Sequence, residues 1–189
     1  MGIELSPGFL VASPLLLDPT FRRTVVLLVD HSPDGSLGFV VNRPASVMLS
    51  GMVVKLGFQQ GDVSPPEAPV LVGGPVAPDT GWIIFDPRGY PTTSDAAVLI
   101  SECVAVSASR ALLEAVVRGK GPERLVLTLG YAGWAAGQLD AEIARGSWIP
   151  TELDDKIVFD TPYNERWTQA LATVGIDPAR LSVMTPPEA

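Results

Sequence analysis

The chain has 189 residues, of which 47% are hydrophobic and 18% charged, a balance that suits one globular domain and excludes a disordered chain. Its formal charge is −8, from 13 basic and 21 acidic residues, and no Lys/Arg run extends beyond Arg22-Arg23; the basic footprint that phosphate neutralisation demands of a nucleic-acid binder is missing. The single cysteine, Cys103, rules out an internal disulfide, and with one histidine far from it no zinc spacing exists, so neither a metal nor a cofactor is expected.

The apolar opening "GFLVASPLLL" comes after Glu4 instead of a basic segment and is interrupted by Pro14. It makes a poor leader and is too short to span a membrane, so a cytoplasmic protein without a membrane partner is expected. Residues 8–12 predict a first strand. "LLLDPTFRR" predicts a turn, with Pro19 fixing φ and Asp18 capping the residues just after it. Thr24–Val29 is β-branched and apolar, as in a strand covered on both faces. "HSPDGS" carries hairpin-loop chemistry, and Leu37–Val41 returns antiparallel. With the loop centred between Asp30 and Ser36, Thr24 falls opposite Asn42. Arg22, Arg23, Asn42 and Arg43 then gather at the open end near Asp18, while His31 and Asp34 sit about 20 Å away at the tip.

"SVMLSGMVVKLGF" predicts a short helix with Val47, Met48, Met52, Val53 and Leu56 on its apolar face, and "QQGDVSPPEAP" after it predicts a loop. "VLVGGPV", "GWIIFDP", residues 98–100 and residues 103–106 predict strands. "ASRALLEAVVRG" predicts a helix stopped by Gly119. "RLVLTLGYAGWAAGQLDAEIARGSW" reads as a strand, a glycine turn and a helix, with Ala135, Leu139 and Ile143 on one stripe and Trp134, Gln138 and Glu142 on the next. "KIVF" predicts a strand. A last helix is expected from Thr161 as N-cap and Pro162, with Trp167, Ala170, Leu171 and Val174 facing the core and Gly175 ending it. No linker divides the chain, so residues 1–189 are read as a single α+β domain with a largely antiparallel or mixed sheet.

Candidate chemistry is sparse. His31 is read as a hairpin-tip residue, because the neighbouring Asp30 points to the opposite face and no G-x-S-x-G is present. "GYAGWAAG" lacks G-x-G-x-x-G, so Gly130 and Gly133 are read as packing glycines before they are read as an anion loop. Gln138 and Glu142 are expected to tie their helix to neighbouring backbone before they are read as lining a pocket. Cys103, in an apolar run, is read as an unreactive buried thiol. Two clusters are left as candidate sites: Asp18, Arg22, Arg23, Asn42 and Arg43, and, second, Gly130, Gly133, Trp134, Gln138 and Glu142. In the first, an Arg–Asp tie locking the turn onto the sheet competes with a site for a small anion or an acidic partner, in which Arg43 is the main contact and Asn42 orients.

Three segments, "GFLVASPLLLDPTFRRTVVLLVDHSPDGSLGFVVNRP", "VLVGGPV" with "GWIIFD", and "GYAGWAAGQLDAEIARGSWI", span most of the chain in order. In them the sequence resembles the YqgE/AlgH family of bacterial proteins. The pattern falls on Asp18-Pro19, Phe21, Thr24, His31, Gly38, Asn42-Arg43-Pro44, Gly73-Gly74-Pro75-Val76, Gly130, Gly133-Trp134, Gln138-Leu139, Glu142 and Trp148. Members often carry a histidine where this chain has Asp86. The resemblance implies a curled, mainly antiparallel, half-barrel-like sheet with flanking helices, and no established reaction. Some members are labelled transcriptional regulators after genetic effects on exopolysaccharide production; the acidic charge here argues against direct DNA contact. Two readings compete: a non-enzymatic regulatory or interaction protein binding a small ligand or protein partner, with any effect on transcription indirect, or an enzyme acting on a small anionic substrate held by the Arg/Asn/Asp cluster.

Overall fold

The computed structural model describes residues 5–52, 57–58, 69–91 and 97–179. Within them lie β1 (Gly8–Ala12), β2 (Val25–Ser32), β3 (Gly35–Val40), β4 (Pro44–Met48), α1 (Leu49–Met52), β5 (Pro69–Val72), β6 (Val76–Phe85), β7 (Val98–Ser101), β8 (Val104–Ser107), α2 (Arg110–Val117), β9 (Leu125–Ala135), α3 (Gln138–Ala144), β10 (Trp148–Glu152), α4 (Asp155–Phe159) and α5 (Arg166–Thr173). The sheet runs β10-β1-β2-β3-β9-β6-β8-β7, with β4 and β5 attached beside β9. All pairings are antiparallel except β5 with β9. This is the curled α+β half-barrel that the family resemblance implies.

The alternation of side chains in β1 and β2 sorts them into two cores. Phe9, Val11, Val25 and Leu27 face inward with Phe39, Ile84, and Trp167 and Leu171 of α5. Leu10, Ala12, Val26 and Leu28 face outward against Trp134, Leu139 of α3 and Trp148. Both faces of these strands are therefore covered, and Val25–Leu28 are buried without a break. A third cluster lies under α2, where Leu112, Val116 and Val117 cover Ile83, Phe85, Val70 and Leu127. Ser109 caps α2 by accepting from Leu112 N at 3.4 Å.

The hairpin register agrees with the sequence reading at its open end: Val26 pairs with Val40, which carries Thr24 opposite Asn42. A bulge between Leu28 and Asp30 shifts the register by one toward the tip, and the turn narrows to Pro33-Asp34 between Ser32 and Gly35.

Five expectations are corrected. Residues 44–48 continue as a strand with Val47 and Met48 exposed, and the helix is confined to Leu49–Met52, with Leu49 buried; Val53, Leu56 and nearly all of the loop after them lie outside the described residues. "GYAGW" is not a turn: β9 runs through to Ala135, so Trp134 stands on a strand, and the helix begins only at Gln138 behind Gly137 at φ 69. "KIVF" is the helix α4, because Asp154 accepts from Lys156 N and caps it. Trp148, read as the end of the segment that closes with a helix, instead opens the edge strand β10 on β1. In α5 the hydroxyl of Thr161 donates to Lys156 O instead of capping, and Val174 is 43% exposed beyond the helix end.

Candidate functional site

The first candidate cluster is brought together by the β1–β2 loop, residues 13–24. Asp18 Oδ1 accepts from Thr20 N at 2.8 Å and Phe21 N at 3.0 Å, and Arg22 N donates to Asp18 O at 2.8 Å. The Phe21 ring anchors this turn between Trp134 and Trp148, at 6.3 and 5.5 Å between centroids. Asn42 clamps the loop where the strands part: its Oδ1 accepts from Val25 N at 2.8 Å and its Nδ2 donates to Arg23 O at 2.9 Å. The Arg43 guanidinium donates to the carbonyls of Pro19, Thr20 and Arg22.

The expected tie between Arg43 and Asp18 is thus replaced by a tie to backbone oxygens. Asp18 spends its carboxylate on its own turn, and a planar guanidinium spans several carbonyls that no single carboxylate could reach. Arg22 and Arg23 are exposed, the latter with its guanidinium 5.5 Å above the Trp167 ring. Among the described residues no carboxylate pairs with Arg22, Arg23 or Arg43.

A further arginine joins this end, one that sequence reading missed. Arg166, at the start of α5, is only 7% exposed, donates from Nε to Thr161 O at 2.8 Å and from Nη1 to Val41 O, and has no carboxylate partner among the described residues. Burial pushes its pKa down to about 10, so it remains charged at neutral pH. Its only signal in the sequence is its place directly before the core residue Trp167.

The second cluster forms a closed polar network. Two indole N–H groups, of Trp134 at 3.0 Å and Trp148 at 2.8 Å, donate to Glu142 Oε2, and Gln138 Nε2 donates to Glu142 Oε1 at 2.9 Å. Gln138 Oε1 in turn accepts from Ala135 N at 3.0 Å. The carboxylate is filled by neutral donors, which makes the network a fastener between β9, α3 and β10. Gly130 and Gly133 belong to the sheet instead. At Gly130, φ 69, strand β9 exchanges β5 for β3 as its neighbour. There the "VGGP" segment crosses β9: a Cβ on Gly74 would lie 2.2 Å from Tyr131 O, and one on Gly130 would lie 2.5 Å from Gly74 O. A Cβ on Gly133 would meet only the Tyr131 ring and Val76, none closer than 3.5 Å.

Elsewhere polar groups are also spent. His31 Nδ1 lies 2.8 Å from Ser36 Oγ, and its Nε2 lies 3.5 Å from Asp140. Asp86 is held by Arg88 at 2.6 and 2.9 Å and Arg124 at 2.8 Å. Arg124 reaches on to Asp155 and Asp160, which flank the body of α4. The hydrogen bonds from Arg88, joined by that from Arg124, hold the Asp86 carboxyl well below the usual carboxylate range. Burial alone raises Asp155, but the hydrogen bond and charge of Arg124 outweigh it and the net direction is down. A cleft of about 310 Å³ opens between α2 and the sheet, floored by Val70, Ile83 and Leu127; at its rim Ser109 caps α2 and Arg110 pairs with Glu114.

These features sit in a chain with clear relatives. A family model described as AlgH-like matches residues 9–179. The chain is 44% identical over 179 residues to a UPF0301 protein of Anaeromyxobacter dehalogenans, covering 93% of this chain and 90% of that one. It is 42% identical over 181 residues to a UPF0301 protein of Ralstonia nicotianae, covering 95% and 93%. Among solved structures it is similar to the solution structure of the AlgH protein from Pseudomonas aeruginosa, with a TM-score of 0.75 and 35% identity over 100% of this chain and 99% of that one. A Corynebacterium diphtheriae protein at 19% identity shares the fold, with a TM-score of 0.74 over 96% of this chain and 93% of that one.

Proposed function

The chain belongs to the AlgH-like family, and from that premise we propose a non-enzymatic regulatory or interaction protein that binds a small anion or an acidic partner at the arginine-bearing end of its first hairpin. The observation that carries this reading is the convergence of Arg22, Arg23, Arg43 and Arg166 without a carboxylate partner among the described residues, on a chain of net charge −8. Arg88 and Arg124, by contrast, are paired with carboxylates. At this end Arg43 and Arg166 are held by backbone carbonyls, which leaves Arg22 and Arg23 available to a ligand. Within the cluster, Arg43, Asn42 and Asp18 shape the loop, and the exposed Arg22 and Arg23 are the groups that can reach outward. Any effect on transcription is then indirect, through the partner.

Titration of the protein with inorganic phosphate and with polyglutamate, monitored by backbone amide shifts, tests the reading. Shifts concentrated on residues 18–24 and 42–43, weakened in Arg22→Ala, are expected. Shifts scattered over the surface, or none, would remove it. Turnover of an anionic substrate that is lost in Arg22→Ala would favour the enzyme reading instead.

A further inference from the structure

We propose that the outer face of the β1–β2 loop docks on an anionic lipid surface, with Leu15 and Leu17 entering the headgroup boundary and Arg22 and Arg23 meeting the phosphates. This rests on the anion reading above and names the anion as a lipid phosphodiester.

Leu15 is 81% and Leu17 82% exposed, whereas Leu16 between them packs against the cluster of Trp134 and Trp148. The chain thus anchors one leucine and holds its two neighbours outward. The loop does not present them by slack: Ser13 O accepts from Leu16 N at 2.9 Å, Asp18 caps the next turn, Asn42 and Arg43 grip the carbonyls of Pro19, Thr20, Arg22 and Arg23, and the Phe21 ring is wedged between two indoles. Much of the polar chemistry of this end therefore holds fixed a loop that exposes Leu15, Leu17, Arg22 and Arg23, while the one exposed carboxylate on it, Asp18, accepts from Thr20 N and Phe21 N of its own turn. Such an exposed pair, with cations on the same loop, matches the interfacial mode in which apolar side chains sit about 5–10 Å deep and basic side chains stay at headgroup level. Guanidinium groups suit phosphate through paired donors. The net charge of −8 does not forbid this, since charges farther than about 8 Å from the contact are screened at physiological ionic strength. Nor does the shortness of the N-terminal apolar stretch, since surface docking needs no spanning segment.

The test is co-sedimentation of the full chain with vesicles of equimolar phosphatidylglycerol and phosphatidylcholine, against vesicles of phosphatidylcholine alone. Binding to the anionic vesicles only, weakened by high salt, is expected. Leu15→Ser combined with Leu17→Ser should lower partitioning about tenfold or more, and Arg22→Ala about fivefold, each with an unchanged melting temperature because the residues are exposed. No sedimentation, or sedimentation indifferent to the leucine pair, overturns the proposal. Amide shifts with inorganic phosphate or polyglutamate in the absence of vesicle binding also overturn it, while leaving the anion reading intact.

Discussion

Glu142 shows how a residue that looks available in sequence is committed in the fold. Its carboxylate takes hydrogen bonds from Trp134, Trp148 and Gln138, and Phe21 packs on both indoles. Removing it strands two buried donors, so Glu142→Ala should cost about 1–3 kcal/mol, seen as a lower denaturation midpoint; an unchanged midpoint would show that the network does not stabilise the fold. Arg43 acts similarly from the other side of the loop. Arg43→Ala should lower stability by about 1.5–3 kcal/mol, the range for hydrogen bonds to charged groups, and Arg43→Lys should not restore it, since an ammonium cannot span several carbonyls. Full rescue by lysine would show that only charge is needed there. The spacing of Gln138 and Glu142 on one helix face was legible in the sequence. Trp134 was grouped with them from the same spacing, but its element was not legible: it reaches Glu142 from strand β9, and a spacing of four residues looks the same whether the first lies on a helix or on the strand before it.

At the scale of elements, the two glycine motifs explain one another. "VGGP" and "GYAG" are distant in sequence, and each alone reads as a turn. Together they are a crossing, where β9 changes neighbours and Val40 N reaches Gly73 O at 2.7 Å. Gly74→Ala would place a Cβ against the Tyr131 backbone at φ 155, where glycine is favoured. A loss of about 3 kcal/mol or more is expected from overpacking plus strain, measured by chemical denaturation, whereas Gly133→Ala, with room for its Cβ, should stay within about 0.5 kcal/mol. Equal effects at the two positions would refute the crossing as the cause. The same long-range dependence explains what the sequence hides. β1 and β2 were legible because both faces are buried and their apolar runs are unbroken. β10 was not, because it carries Pro150 and Glu152 on a sheet edge. In α4 the adjacent buried pair Ile157-Val158 imitates a strand, and the cap from Asp154 decides for a helix.

The whole molecule is acidic, with Arg22, Arg23, Arg43 and Arg166 gathered without a carboxylate partner among the described residues at one end and Arg88 and Arg124 paired with carboxylates beside α4. Direct binding to duplex DNA should therefore be weak and unselective at physiological salt, and a nanomolar, sequence-selective complex would contradict that. The paired end governs acid stability. Asp86 lies just after β6, Arg124 precedes β9, and Asp155 and Asp160 bracket α4, so one network fastens α4 to the sheet. Asp86 and Asp155 both hold their protons less tightly in the folded chain than in the unfolded one. Groups shifted in that direction stabilise the fold above the ordinary carboxylate pKa of about 3.9. Below it the unfolded state binds more protons than the folded state, and that contribution drains away as the pH falls. Thermal stability should hold near neutral pH and decline as the solution is acidified through that value. Asp86→Asn should melt lower at neutral pH, because Arg88 and Arg124 lose their shared acceptor, and should lose less on acidification, because one of the responsible carboxyls is gone. A variant whose melting temperature falls with acid as steeply as that of the parent would place the proton-linked stability elsewhere than in this network.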